Sequence, residues 1–236
     1  MALQQTFDTF LQMPSTAVAY RSCRIWAEDP AVPGVLLLHG APGTGKTHLL
    51  RAVADAARRR RRSCRIEESR AVDLLTGVVR ELAWRRAPGA SLSYYDQLDL
   101  LIVDDMQWLV AKTGSQRYLA ELFRRMVTAG ASVVCASGVA PRALPDVAGI
   151  LEAEPSYRSV RMGRVPGREL RRIIRYLAAL GGVPLSAGTV NLLAERCDGD
   201  VGRVHGMVAQ FGAAVRWPTS GAASAAIARV MRPLPP

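Results

Sequence analysis

The sequence predicts an α/β fold, in which a parallel five-stranded sheet is sandwiched by helices and followed by a small all-α domain. Three observations predict it. Short, mainly apolar runs at 35–38, 100–103 and 131–137 are typical of strands that are buried on both faces. Between these runs, apolar residues recur at helical spacing. From Pro166 onward only the helical pattern remains, which separates a helical domain at 166–236 from an α/β domain at 1–165.

The first strand leads into Gly40–Thr47, which fits the pattern GxxxxGK[ST] and precedes a helix. In such a P-loop, backbone N–H groups turn inward around phosphates, and the helix N-terminus adds partial positive charge. We expect Lys46 to reach the β- and γ-phosphates and Thr47 to hold Mg²⁺. The alternative is an ordinary glycine turn. The residues predicted here to bind nucleotide are Gly40, Ala41, Pro42, Gly43, Thr44, Gly45, Lys46, Thr47 and His48.

Two adjacent carboxylates close a later apolar strand. A weak strand at 63–67, a helix at 71–84 and a loop at 88–91 come first, and the strand at 100–103 then ends in Asp104 and Asp105. A buried carboxylate is costly unless a cation or hydrogen bonds compensate it. We therefore assign Asp104 to Mg²⁺ and Asp105 to the attacking water of phosphoryl transfer. Alternatively, one aspartate only caps the next helix, which begins after Met106 or nearer Ser115.

The α/β region continues with a helix at 115–128 and a strand at 131–137, and a proline-containing loop then leads to a fifth strand at 159–165. Ser137 ends the strand at 131–137. Ligands of open α/β sheets collect at the carboxyl ends of strands, so one interpretation places Ser137 within reach of a γ-phosphate. In the other, Ser137 is a plain turn residue.

Three helices are predicted for the helical domain at 166–236, followed by a short tail. Apolar residues at 170–177 and 190–194 mark the first two helices. Asp200 is a good N-cap for the third.

The composition is that of a basic protein without a membrane span. A net charge of +11 makes contact with nucleic acid or another polyanion reasonable, and Arg58–Arg62 could form such a patch or a solvated surface. No run approaches the roughly 18 apolar residues of a transmembrane helix, and the N-terminus lacks a secretory profile, so we expect a cytoplasmic protein. The four cysteines are far apart, which favours small buried hydrophobes over a disulfide or a metal site.

Four stretches resemble the AAA+ ATPases, and within them the bacterial replication initiator DnaA and its shorter paralogue Hda. Thr6–Phe10 is similar to the opening TFDxF motif, which implies that Phe7 lies against adenine. Residues 45–50 read GKTHLL, and 101–109 are similar to LLIDDIQFL. By resemblance, the helical domain from about Pro166 is a lid. Residues 200–206 are similar to the sensor-II stretch, which implies that Arg203 is a lid arginine that touches the nucleotide phosphates. The resemblance thus implies ATP or ADP with Mg²⁺ as ligands.

Three stretches depart from the family pattern. The family's SRF segment, which supplies an arginine finger to the ATP of a neighbouring protein, has no clean counterpart between 151 and 162. Arg158 is the candidate for this arginine. Gly138 stands where the sensor-I stretch has an acid. Residues 112–116 carry less positive charge than the family's stretch that binds single-stranded DNA. We therefore expect a weak or partner-dependent ATPase.

The resemblance implies a regulator of replication initiation that contacts a DnaA-type initiator or another AAA+ protein, with a nucleotide-dependent oligomer and non-specific DNA contact as further expectations. The chain ends at Pro236 without a helix-turn-helix signal, so no sequence-specific DNA reader is expected. A helicase-loader or transposition-type ATPase, and a nucleotide-gated adaptor with little hydrolysis, are the alternatives.

Overall fold

The structure is a computed structural model that describes residues 4–28, 33–76 and 94–216. The chain divides into two compact units. The first comprises Met1–Ala41 and Lys46–Gly163, and the second comprises Pro42–Gly45 and Arg164–Pro236. The division into domains at 165/166 stays a prediction, and the predicted loop at 88–91 and most of the predicted helix at 71–84 lie outside the described residues.

The first unit contains a wholly parallel five-stranded sheet. In the sheet the strand order is β2-β3-β4-β1-β5, so β1 lies between β4 and β5. The register places Leu36 beside Val134 on one side and Arg158 on the other. The strands are β1 (Gly34–His39), β2 (Ile66–Arg70), β3 (Leu100–Asp104), β4 (Ser132–Ser137) and β5 (Tyr157–Arg161). The predicted fold class is therefore confirmed.

Burial follows position in the sheet. The central strands β1, β3 and β4 are buried along nearly their whole length, as their continuous apolar runs predict. The edge strands β2 and β5 mix exposed and half-buried positions, and their sequences carry a weaker signal. For this reason β2 begins at Ile66 rather than residue 63, and β5 begins at Tyr157 rather than residue 159.

Helices cover both faces of the sheet. They are α1 (Ala17–Glu28), α2 (Lys46–Arg60), α3 (Thr113–Thr128) and α4 (Pro145–Leu151), and residues 71–76 are also helical. Helix α4 occupies part of the segment predicted as a loop. Pro145 stands at its first position, where the missing N–H costs no helical hydrogen bond.

Alternate residues of each strand enter two separate cores. Leu37, Val103 and Val133 pack in the core that contains residues of α3 and α4. Their neighbours Leu36 and Val134 pack on the opposite face, in the core that contains residues of α1 and α2. Cys23 and Cys135 are buried in these cores as free thiols, as expected for small hydrophobes, and Cys197 is buried in the second unit, but Cys64 is only half-buried and departs from the expectation.

In the second unit, helices α5 (Gly167–Leu180), α6 (Ala187–Cys197) and α7 (Val201–Arg216) pack against one another. Leu170, Ile174 and Leu193 are buried among them. Three helices were predicted, and three are present among the described residues of this region. Across those same residues, no helix combines the length and the apolar character that crossing a membrane requires.

Candidate nucleotide-binding site

The P-loop joins the end of β1 to the start of α2. Gly40 and Gly45 have φ of +149° and +95°, backbone conformations that residues with a side chain rarely adopt. A Cβ atom at Gly40 would lie 2.1 Å from the Met162 carbonyl oxygen, so only glycine fits there. The Lys46 ammonium donates to the carbonyl oxygens of Gly40 and Ala41, at 2.7 and 2.8 Å. The loop therefore already places its cation among the backbone groups of the predicted phosphate site.

Thr47 and Asp104 meet, although 57 residues separate them in the chain. The Thr47 hydroxyl donates to Asp104 Oδ2 at 2.6 Å. Mg²⁺ at nucleotide sites takes one or two protein oxygens and keeps water and phosphate oxygens as its other ligands. These two hard oxygen donors, adjacent to the P-loop, fit that requirement. Within the described ranges, no cluster of three or more His, Cys, Asp or Glu offers a separate metal site.

Asp105 has a left-handed backbone, with φ 60° and ψ 38°. Its N–H donates to Asp104 Oδ1 at 2.8 Å. Asp105 precedes the 3₁₀ helix Met106–Leu109, yet its side chain makes no capping hydrogen bond there. The carboxylate instead accepts from the Gln107 amide at 2.8 Å. The alternative in which this aspartate only caps a helix is therefore not what the structure shows.

Gln107 also lies at this site, although no role was predicted for it from the sequence. Its Oε1 accepts from the Gly138 N–H at 2.8 Å, while its Nε2 donates to Asp105 Oδ1. Two signals in the sequence point to it: its position two residues after the acid pair, and its match to the glutamine of the LLIDDIQFL-like stretch at 101–109. The side chain links the ends of two neighbouring strands at the candidate site.

Ser137 lies at the same edge of the sheet and is fully buried. Its hydroxyl accepts from the Val139 N–H at 3.1 Å, and its carbonyl accepts from the Gly40 N–H at 3.1 Å. The backbone of Ser137 thus anchors the start of the P-loop, and its side chain stabilises a turn. A contact with a γ-phosphate stays a prediction.

The N-terminal segment 6–10 packs on α2 through His48. The His48 Nε2 donates to the Thr6 carbonyl at 2.9 Å, and the Phe10 ring packs edge-on against the imidazole. Burial lowers the pKa of His48 below its ordinary value, although the hydrogen bond to Thr6 raises it. Phe7 is buried and packs edge-on against Tyr20. The contacts of Phe7 and His48 with a nucleotide stay predictions.

Positive charge gathers where β1 ends. The pKa of His39 lies below its ordinary value because of burial, then because of the charges of Arg161 and Lys46. Both cations are therefore close enough to disfavour a third positive charge. A site of this kind suits a polyanionic ligand such as a triphosphate.

In the second unit, residues 42–45 contact the start of α7. The Val201 N–H donates to the Gly43 carbonyl at 2.8 Å. Asp200 Oδ1 accepts from the Arg203 N–H at 3.0 Å, which confirms the predicted N-cap. Gly43 has a φ of +71°, and a Cβ atom there would lie only 1.8 Å from Asp200 Oδ1. Arg203 itself is exposed, and its contact with phosphates stays a prediction.

Arg158 lies on edge strand β5 and is exposed. Its guanidinium donates to the carbonyl oxygens of Pro155 and Tyr157 in its own chain, at 2.9 and 2.8 Å. Its role as an arginine finger for a neighbouring protein stays a prediction.

A known protein family matches the part of the chain that contains most of this site. The family model described as the bacterial DnaA ATPase domain matches residues 1–154, which include the P-loop, Asp104, Asp105 and Gln107. The chain belongs to the bacterial DnaA ATPase domain family. The resemblance noted in the sequence is thereby confirmed at the level of DnaA.

Curated DnaA relatives cover most of the chain. The chromosomal replication initiator protein DnaA of Caulobacter sp. (strain K31) is 32% identical over 218 residues, which are 85% of this chain and 43% of that protein. DnaA of Thermotoga maritima is 26% identical over 204 residues, 86% of this chain and 46% of that protein. The chain therefore spans less than half the length of these relatives.

Solved structures show the same fold. Domain III of Thermotoga maritima DnaA superposes with a TM-score of 0.83 at 21% identity and covers 98% of both chains. DnaA from Aquifex aeolicus, bound to AMPPCP, has a TM-score of 0.79 at 21% identity, over 96% of this chain and 69% of that one. The DnaC helicase loader is more distant, with a TM-score of 0.52 at 16% identity, over 67% of this chain and 96% of that one.

Proposed function

We propose that this chain binds ATP or ADP with Mg²⁺ and regulates chromosomal replication initiation, as a DnaA/Hda-like protein that acts through AAA+ to AAA+ contacts. The observation that carries the proposal is the 2.6 Å hydrogen bond from Thr47 to Asp104, which joins the P-loop to the acid pair within a DnaA-type domain. The AMPPCP-bound DnaA relatives support the nucleotide class. This role would place the chain in the cytoplasm, with the chromosome.

The residues at the site have separate proposed tasks. Lys46 and the N–H groups of the loop bind the phosphates, and Thr47 and Asp104 hold Mg²⁺, which would neutralise phosphate charge. Asp105 orients a water whose oxygen attacks the γ-phosphorus, and one proton of this water passes to the Asp105 carboxylate and then to solvent. The bond from the γ-phosphorus to its bridging oxygen breaks, and the electron pair leaves with ADP. Arg203 is proposed to stabilise the phosphate charge from the lid.

Two contacts support slow or partner-dependent hydrolysis. The Arg158 guanidinium donates to carbonyls of its own chain, and so is engaged before any neighbour arrives. The Ser137 hydroxyl accepts from the Val139 N–H, which fixes its oxygen in a turn at the strand end. A partner that supplies a cation to the transferred phosphoryl group would raise turnover, since such arginines contribute about 10³–10⁵ in rate.

The decisive experiment measures ATP turnover by this chain and by the cognate initiator, separately and mixed, together with a pull-down in ATP and in ADP. We expect nucleotide-dependent binding and a turnover of the mixture that exceeds the sum of the parts. Asp105→Ala should lower the turnover contributed by this chain to a small residual rate while preserving ADP affinity. Absence of both binding and altered turnover would reject the regulatory proposal. Turnover that Asp105→Ala leaves intact would reject the assignment of this aspartate.

A second candidate function is a loader-type, DNA-associated ATPase. It is favoured by the net charge of +11 and by the fold shared with the DnaC helicase loader. Fluorescence anisotropy with single- and double-stranded oligonucleotides, and a pull-down of a replicative helicase, separate it from the regulator. Binding to the helicase without binding to the initiator would establish it.

A nucleotide-gated adaptor is the third candidate, and the self-engaged Arg158 favours it. Such a protein would bind its partner in one nucleotide state with no measurable turnover in the mixture. Any turnover that depends on Asp105 would exclude it.

A further inference from the structure

We infer that Gln107 is a positioning residue for ATP hydrolysis, which holds the Asp105 carboxylate in one orientation and ties it to the end of β4. The inference rests on the proposed function, because Asp105 is the residue proposed to orient the attacking water. Nothing in the P-loop or acid-pair patterns assigns a task to Gln107.

Two hydrogen bonds fix the orientation of the Gln107 side chain. The Gly138 N–H can only donate, so the amide atom that it meets at 2.8 Å must be the oxygen, Oε1. The amide nitrogen Nε2 then faces Asp105 Oδ1 at 2.8 Å and donates to it. Reversal of the amide would place two donors together at Gly138 and two acceptors together at Asp105. The side chain therefore makes both hydrogen bonds in a single amide orientation.

The link matters because Asp105 stands on a sharp turn. A left-handed conformation is uncommon for a residue other than glycine, and aspartate is among the few that adopt it. The strand pairing places the ends of β3 and β4 side by side, with Val103 opposite Cys135. A bond to the end of β4 thus attaches the Asp105 side chain to the rigid sheet. With Oδ1 engaged by Gln107, Oδ2 is the oxygen left for a water.

Gly138 fits this arrangement sterically. A Cβ atom at Gly138 would lie 3.3 Å from Gln107 Cδ and 3.4 Å from Oε1, which is tighter than most Cβ contacts. A larger residue at 138 would therefore press on the amide and move it by a few tenths of an ångström. Gly138 is also the position at which this chain lacks the acid of the sensor-I stretch. Here the small residue leaves room for the Gln107 amide.

The test is Gln107→Glu, which keeps the size of the side chain and still accepts from the Gly138 N–H, but presents an oxygen instead of a donor to Asp105. We expect kcat for ATP, measured with the activating AAA+ partner, to fall roughly 10- to 100-fold, the range seen when groups that orient a reacting residue are lost. The Kd of ADP should be unchanged, because Gln107 contacts neither Lys46 nor the pair of Thr47 and Asp104. In the Asp105→Ala background, the same change should have no further effect on kcat.

The matched control is Gln116→Glu. Gln116 is also a bridging glutamine, whose amide donates to the Leu109 carbonyl and accepts from the Asp146 N–H, but it does not touch Asp105. The Gln116→Glu variant should have a lower thermal stability than the wild type but the same kcat. Gly138→Ala presses on Gln107 from the other side and should reproduce part of the loss in kcat. It also provides the test if Gln107→Glu does not fold.

The outcomes separate the inference from the proposed function. A wild-type chain without turnover in any partner mixture rejects the proposed hydrolysis, and the inference with it. A wild-type chain that hydrolyses ATP, with Gln107→Glu or Gly138→Ala at the wild-type kcat, overturns only the inference. A fall in kcat that persists in the Asp105→Ala background also overturns it, because Gln107 would then act without Asp105.

Discussion

At the scale of single residues, Lys46 offers the sharpest test of the nucleotide site. The chain contains only two lysines, Lys46 in the P-loop and Lys112 on the surface, so one is a natural control for the other. Hydrogen bonds to charged groups contribute about 1.5–3 kcal/mol, which corresponds to roughly a 10- to 150-fold loss of affinity. We expect Lys46→Ala to weaken ADP binding by that factor in calorimetry and Lys112→Ala to leave it unchanged. Equal affinities for the two variants would contradict the P-loop assignment.

His48 predicts a pH dependence of stability. Its folded-state pKa is lowered by burial, so the unfolded chain binds the proton first as the pH falls through about 6.5. The free energy of unfolding must then decrease from neutral pH toward the folded pKa of His48 and be unaffected by this residue above neutrality. Urea titrations at pH 7.5 and 5.0 should show a smaller acid-induced loss for His48→Gln than for the wild type.

The control for His48 is His205→Gln, because His205 is exposed on α7. It should retain the full wild-type loss of stability between the two pH values. If His48→Gln retained it as well, the N-terminal segment would not depend on a neutral imidazole, and the contact with Thr6 would contribute little.

At the scale of elements, the turn between β1 and α2 makes a prediction about glycine. Gly43 and Asp200, both in the second unit, leave no space for a Cβ atom. Gly43→Ala should cost about 1–2 kcal/mol for its left-handed backbone and roughly 1 kcal/mol more for displacing the Asp200 cap. Gly182→Ala is the matched control, since Gly182 also has positive φ but meets no atom within 4 Å. Equal losses in denaturant titrations would show that the Asp200 contact is unimportant.

The strands and helices also show how much of the fold could be predicted from the sequence. Continuous apolar runs predicted β1, β3 and β4, and the motif spacing predicted that Thr47 and Asp104 serve one ion. Helices α1 and α4 were not predicted, although Ser15 and Thr16 precede α1 and are residues that often begin a helix, and the prolines around α4 favoured a loop. The Gln107 bridge and the Gly43 contact were also missed, because each depends on which strand ends or turns the tertiary fold brings together. Local patterns contain no such information.

At the scale of the whole molecule, the net charge of +11 predicts a salt-dependent affinity for DNA. Within Arg58–Arg62, three arginines pair with Glu68, Asp55 and Asp99. No acidic side chain among the described residues forms an ion pair with Arg60 or Arg62. We expect an Arg60→Ser, Arg62→Ser variant to lower the slope of log K against log salt by about 1.8, as two lost phosphate contacts would.

Arg58→Ser, Arg59→Ser changes the net charge equally, and so is the control for this experiment. Its slope should change less, because these two arginines are already partly neutralised by Glu68 and Asp55. Identical slopes for both variants, measured by anisotropy on one duplex oligonucleotide, would indicate that only total charge matters.

The strand order also has a consequence for synthesis of the chain. Strand β1, which leads into the P-loop, pairs only with β4 and β5, and those strands end at residues 137 and 161. At ribosomal rates of about 5–20 residues per second, β1 would wait roughly 6–24 s after its own synthesis for its second neighbour. Until β4 has been synthesised, its apolar residues Val35, Leu36 and Leu37 have no partner strand beside them. A nascent chain stopped near residue 130 should therefore recruit chaperones, whereas one stopped beyond residue 161 should not.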